Sequence, residues 1–195
     1  MPNPQEKPVK TAPKPLLGQV IPRVHTKLHS DLPSKGQEMI DFIESLINPV
    51  TNEKFQMLPW QKWLAIEMHR YEPETGKYAA PEQCVTISRQ NGKSEFLVMK
   101  VLTGLFKWAE PLQVGVAHKL TTSSEIFYKI YNVIEANPVL QSEFIKKIES
   151  KGSQELRTRT GRYIIRANNA AARGLSAPST IYLEDRKSTR LNSSH

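Results

Sequence analysis

The feature that most constrains the fold is a Gly92-Lys93-Ser94 tripeptide that joins two segments of opposite character. Residues 84–87 (Cys-Val-Thr-Ile) are short, apolar and β-branched, which predicts a buried strand with Cys84 as a small buried group. Residues 94–108 carry apolar side chains at helical spacing. A Gly-Lys-Ser loop between a strand and a helix is the context that a phosphate-binding loop requires. We therefore expect a strand–loop–helix unit here.

The residue types in this loop suit phosphate chemistry. Backbone N–H groups of such a loop converge on phosphate oxygens, and the helix N-terminus adds partial positive charge. Gly92 would let the backbone approach the nucleotide, Lys93 would bridge the β- and γ-phosphates, and the Ser94 hydroxyl would ligate Mg²⁺. The standard pattern has a glycine six residues before the lysine, where this chain has Ile87. A strand–turn–helix without a ligand is therefore an open alternative.

Helices and short strands alternate along the rest of the chain. The predicted helices span residues 39–47, 59–69, 123–135 and 139–148, and the predicted strands span residues 112–117 and 180–183. Residues 154–158 and 162–167 flank Thr160-Gly161, which predicts a β-hairpin. This order is typical of the α/β class, with a mostly parallel sheet flanked by helices.

Composition excludes several classes of protein. The formal net charge is +8, yet residues 36–184 hold 18 basic and 16 acidic side chains, so the excess lies at the two ends. A single cysteine excludes a disulfide framework, and no cluster has zinc-ligand spacing. No apolar run approaches the roughly 18 residues of a membrane span, and the first residues lack a secretory apolar region. We expect a soluble intracellular protein.

The two ends of the chain differ from its middle. Residues 1–35 contain seven prolines and scattered lysines, which predicts a disordered Pro/Lys-rich arm. Residues 185–195 read DRKSTRLNSSH and resemble the translation of a sequencing adapter, so we exclude them from fold reasoning as a non-native tail. An ordinary disordered tail is the alternative. Residues 36–184 are the expected folded domain.

Three segments in the middle of the chain together resemble tailed-phage terminase large subunits. Residues 89–94 (Arg-Gln-Asn-Gly-Lys-Ser) are similar to the deviant Walker A loop of that family, in which the first glycine is replaced and an arginine is present. Residues 58–61 (Leu-Pro-Trp-Gln) are similar to its adenine-holding segment. Arg173 and Gly174 precede the strand at residues 180–183, which would be the Walker B strand.

The resemblance implies a P-loop NTPase-type ATPase domain that is truncated after the Walker B strand. Such motors hydrolyse ATP with Mg²⁺ and translocate double-stranded DNA into a procapsid. They form homo-oligomeric rings at the portal protein and act with a small terminase subunit in the host cytoplasm. The nuclease domain that completes the family has no counterpart in these 195 residues, so we interpret the chain as a partial ATPase domain.

The resemblance also implies which residues bind the nucleotide. It assigns the adenine to Trp60 and Gln61, whose aromatic face and amide suit a base. It assigns the triphosphate and its Mg²⁺ to a run of consecutive loop residues: Arg89, Gln90, Asn91, Gly92, Lys93 and Ser94.

Three residues receive catalytic roles from the resemblance. Arg89 would neutralise charge on the γ-phosphate, and its alternative is a surface ion pair. Glu184 occupies the position of the Walker B acid for Mg²⁺, and Asp185 follows it where the family has its general base. Arg173 would complete a neighbouring subunit's site in trans, and a solvated loop arginine is the alternative.

Other functions stay open at this point. A helicase-like or other P-loop NTPase would share the same core, and a non-catalytic, basic nucleic-acid-binding module would make the Gly-Lys-Ser tripeptide incidental. Residues 151–173 contain six basic side chains and one acidic one. This excess predicts either a contact with the phosphate backbone of DNA or a solvated strand face.

Overall fold

The computed structural model describes residues 19–88, 90–117, 120–150, 153–166 and 179–183. These ranges form an α/β fold of helices packed on a mixed sheet. The helices are α1 (Gly36–Ser45), α2 (Pro59–Met68), α3 (Lys93–Phe106), α4 (Leu120–Ala136) and α5 (Pro138–Glu143). The strands are β1 (Leu112–Ala117), β2 (Phe144–Ser150), β3 (Ser153–Thr158), β4 (Arg162–Arg166) and β5 (Ser179–Leu183).

The sheet has the strand order β2-β3-β4-β1-β5. Strand β1 runs parallel to both β4 and β5, whereas β2, β3 and β4 pair antiparallel to one another. The prediction of a mostly parallel sheet is therefore correct for β4, β1 and β5 only. Antiparallel neighbours can be joined by short turns, and the Thr160-Gly161 turn between β3 and β4 is one of them. The predicted hairpin and the strand at β1 are confirmed.

The strand predicted at residues 84–87 is wrong. Residues 83–88 belong to no strand, and the Cys84 side chain is exposed rather than buried. A strand exists only where a neighbour supplies hydrogen bonds, and no strand among the described residues pairs with this segment. The β-branched side chains therefore do not suffice to place it in the sheet.

The helix predicted at residues 139–148 is also wrong in its second half. Helix α5 ends at Glu143, and β2 begins at the next residue. Antiparallel pairing with β3 places Lys147 opposite Leu156. The Lys147 ammonium also lies 4.2 Å from the centroid of the Tyr131 ring in α4. Pairing with β3 thus overrides the helical spacing of this segment.

Part of the predicted disordered arm is attached to the end of α2. The Lys35 N–H donates to the His69 carbonyl over 3.1 Å, and the Tyr71 N–H donates to the Pro33 carbonyl over 3.0 Å. These bonds join residues 33 and 35 to the end of α2, and the disorder of the arm as a whole stays a prediction. Residues 1–18 lie outside the described ranges.

Helix α3 lies in the centre of the hydrophobic core. It packs against α1, α4, β1 and β4. Its buried residues run almost without interruption along the helix: Phe96, Val98, Met99, Lys100, Val101, Leu102, Thr103, Gly104 and Leu105. Within the described part of the chain, no helix is long and apolar enough to cross a membrane.

A cluster of polar side chains around Lys100 and His69 is buried beside this core. The Lys100 ammonium pairs with Glu110 at 3.2 Å and lies 4.9 Å from the Trp108 ring centroid. The His69 ring lies 4.7 Å from the same tryptophan, and its Nδ1 is 2.7 Å from the Ala65 carbonyl oxygen. Because a carbonyl only accepts, Nδ1 carries the proton. Burial, and then the charge of Lys100, lower the pKa of His69 to about 3.

This shift predicts that the protein loses stability in mild acid. Below its ordinary pKa of 6.5 the unfolded histidine binds a proton, whereas the folded one stays neutral down to about pH 3. The free energy of unfolding should fall by up to about 1.4 kcal/mol per pH unit across this range. Urea unfolding at pH 7 and pH 5 measures the loss. A His69→Gln variant should lose less stability over that interval, and an identical loss would contradict the prediction.

Candidate functional site

The loop before α3 makes a tight left-handed turn. Gln90 and Gly92 have φ values of +61° and +78°, and α3 begins at the next residue, Lys93. Glycine adopts positive φ without strain, whereas Gln90 does so at some cost. Next to them, the Asn91 side-chain amide donates to the Ser88 hydroxyl. The chain therefore turns over residues 90–92, immediately before α3.

Gly92 is enclosed by residues from the start of α2. A Cβ atom at this position would lie 3.0 Å from Gln61 Nε2 and 3.8 Å from atoms of both Leu58 and Trp60. The Gly92 carbonyl accepts two hydrogen bonds, from Phe96 N at 3.0 Å and from Gln61 Nε2 at 3.2 Å. The absence of a side chain at residue 92 thus lets two helices approach each other at the loop.

Lys93 and Ser94 are the first two residues of α3, and both are half-buried. The N–H groups in the first turn of an α-helix have no acceptor within the helix. Neither Lys93 Nζ nor Ser94 Oγ forms a hydrogen bond or an ion pair with another residue in the part of the chain that the structure describes. The neighbouring Glu95 instead pairs with Lys129 of α4. The start of α3 thus offers an ammonium, a hydroxyl and backbone donors to an anion.

The two residues predicted to hold adenine lie beside this loop. The Trp60 ring centroid is 6.1 Å from that of Phe96, with the planes tilted by 37°. Gln61 is only 2% exposed, and its Oε1 accepts the Leu58 N–H over 2.8 Å. The structure brings both residues to the loop, and their contact with a base stays a prediction.

The residues present fit a nucleotide phosphate with Mg²⁺. The free N–H groups of the first turn of α3 and the Lys93 ammonium favour an anion at the helix N-terminus. The Ser94 hydroxyl is an oxygen donor of the kind that Mg²⁺ prefers. Three predicted site residues, Arg89, Arg173 and Glu184, lie outside the described ranges. No group of three or more potential metal-ligating His, Cys, Asp or Glu side chains occurs within those ranges.

A row of cations across the sheet was only partly visible in the sequence. Lys146, Arg157 and Arg162 are direct partners in register across β2, β3 and β4, so they share one face of the sheet. Glu155 pairs with Arg157 at 2.6 Å and lies 4.0 Å from Arg162. The basic excess at residues 151–173 indicated two of these cations. Lys146 was missed because its segment was predicted to be helical.

The fold resembles that of a bacteriophage large terminase. No protein-family model and no curated protein sequence matches this chain. Among solved structures, the crystal structure of the HK97 bacteriophage large terminase has a similar fold, with a TM-score of 0.56 and 19% sequence identity. The similarity covers 74% of this chain and 29% of the terminase chain. The chain therefore has a terminase-like fold and spans under a third of that protein's length.

The contact around Gly92 generates a test of the loop geometry. Gly92→Ala should lower the free energy of unfolding by more than Gly76→Ala does, with the difference about 1 kcal/mol. Both glycines have positive φ, but a Cβ at Gly76 would meet nothing within 4 Å. The backbone strain of about 1–2 kcal/mol is thus common to both variants. Urea unfolding measures the two losses of stability. Equal losses would show that the Gln61 side chain does not clash with a Cβ atom at residue 92.

Proposed function

We propose that this chain is the ATPase motor part of a phage terminase large subunit that translocates double-stranded DNA into procapsids. One observation carries the proposal: Lys93 and Ser94 open the buried helix α3 directly after the left-handed turn at Gly92. This Gly-Lys-Ser turn occurs in a chain whose fold is similar to that of the HK97 large terminase.

The proposal assigns the binding of ATP to the start of α3. Backbone N–H groups of the first turn and the Lys93 ammonium would hold the phosphates, because both supply positive charge to an anion. The Ser94 hydroxyl would hold Mg²⁺, which neutralises phosphate charge when bound. Gln90 and Asn91 would shape the loop around the phosphates. Trp60, packed on α3, would place an aromatic face near the base.

Hydrolysis is assigned to three residues outside the described ranges. Arg89 would neutralise charge that develops on the γ-phosphate, since a guanidinium stays protonated at any physiological pH. Glu184 would hold the water shell of Mg²⁺ with its carboxylate. Arg173 would reach the site of a neighbouring subunit in a homo-oligomeric ring, which is how an arginine supplied in trans accelerates phosphoryl transfer.

DNA is the proposed substrate of the motor, and the row Lys146, Arg157 and Arg162 is its proposed contact. Strands lie about 4.8 Å apart in a sheet, so the three cations form a short basic line. The charge of Glu155 offsets part of this line. Binding through such a row would weaken as salt increases. The portal protein, the procapsid and the small terminase subunit are the further proposed partners, in the host cytoplasm.

Removal of the Lys93 charge tests the nucleotide site. Calorimetric titration of the 195-residue chain with Mg-ATP should show binding, and Lys93→Ala should weaken it at least about tenfold, as expected for a charged hydrogen bond. Lys77→Ala, in an exposed turn, is the matched control and should bind like the wild type. Equal affinity in the wild type and Lys93→Ala, or no binding by the wild type, would contradict the proposal.

A further inference from the structure

We infer that Gln61 is a positioning residue that acts on the phosphate loop through the Gly92 carbonyl and not through the base of the nucleotide. The inference rests on the proposed function and changes the role of one residue within it. The family resemblance assigns Gln61 to adenine, whereas its side chain forms hydrogen bonds with Leu58 and with Gly92 of the loop.

The Gln61 amide has both of its ends bonded within the chain. Its Oε1 accepts the Leu58 N–H over 2.8 Å, and its Nε2 donates to the Gly92 carbonyl over 3.2 Å. The side chain is 2% exposed. A buried amide with an internal acceptor and an internal donor bond has little surface left with which to read a base.

The Gly92 carbonyl is the point where this bond can affect phosphate binding. The carbonyl of Gly92 and the N–H of Lys93 belong to the same peptide unit, which is planar and trans. The two groups therefore point in opposite directions. Because Gln61 Nε2 and Phe96 N both bond the carbonyl, they hold the Lys93 N–H on the other side, toward the open N-terminus of α3.

The same amide also ties the starts of two helices together. Leu58 is the residue before α2, and Gly92 is the residue before α3. The Trp60 ring on Phe96 supports the same junction with apolar contact. Loss of the Gln61 donor would leave the Gly92 carbonyl held by the Phe96 N–H alone, and Gly92 has no side chain that restrains its backbone. The Lys93 N–H would then be less well oriented toward a phosphate.

Ligands with and without a base distinguish the two possible roles of Gln61, which are positioning of the phosphate loop and recognition of the base. The 195-residue chain is titrated with Mg-ATP, Mg-GTP and Mg-tripolyphosphate, using wild type, Gln61→Glu and Gln61→Met. Gln61→Glu keeps an acceptor for the Leu58 N–H but loses the donor to Gly92. Both variants should weaken all three ligands by a similar factor, roughly tenfold.

Gln83→Glu is the matched control, because the Gln83 amide also donates to backbone carbonyls, those of Met68 and Ala80, in a different part of the chain. It should bind all three ligands like the wild type. Urea unfolding confirms that Gln61→Glu is folded at the titration temperature.

A loss confined to Mg-ATP, with tripolyphosphate binding unchanged in Gln61→Glu, would overturn the inference and assign Gln61 to adenine. Wild-type affinity of Gln61→Glu for all three ligands would also overturn it. In both cases a loss of binding in Lys93→Ala would leave the proposed function standing, so the two failures are distinguishable.

Discussion

The burial of α3 on all sides is the constraint on which the rest of the structure depends. Its apolar residues contact α1 and α4, and the helix also packs against β1 and β4 of the sheet. Even its one buried cation, Lys100, is neutralised by Glu110 and covered by Trp108. Residues 98–105 of this helix are all buried, so it cannot slide or rotate without opening cavities, which cost several kcal/mol for each large side chain. Its first turn is therefore held in place.

The candidate site follows from this immobile first turn. The chain makes a left-handed turn at Gly92, and α3 begins at the next residue. The Gln61 amide donates a hydrogen bond to the Gly92 carbonyl. Lys93 and Ser94 then occupy a helix start whose backbone donors are already oriented. Preorganised donors of this kind bind an anion without the cost of ordering the loop at the time of binding. The buried core thus fixes the position of α3, and the loop orients the backbone donors at its start.

The sequence predicts the parts of the fold that local chemistry determines. The helix predicted at α3, the strand predicted at β1 and the turn at Thr160-Gly161 all appear in the structure. Residues 84–87 and residues 144–148 do not follow their local patterns, because strand formation depends on hydrogen bonds from a paired strand and not on the side chains of one segment alone.

The same reasoning applies to the site. The Gly-Lys-Ser tripeptide locates the loop, since glycine and lysine have the chemistry that the site needs. The bond between Gln61 and Gly92 joins residues 31 positions apart, and no local pattern predicts such a contact. A glutamine at the third position of a helix that begins with proline is a signal for capping, and this signal accounts for the bond to Leu58 only.

Amide hydrogen exchange of the wild-type chain with and without Mg-ATP tests most directly whether the start of α3 binds a nucleotide. The account predicts slower exchange in the peptides that cover residues 90–96 and 58–62 when the nucleotide is bound. It predicts no change in the peptides of β2 and β3, the two strands at one edge of the sheet. Unchanged exchange across residues 90–96 at saturating Mg-ATP would contradict the account.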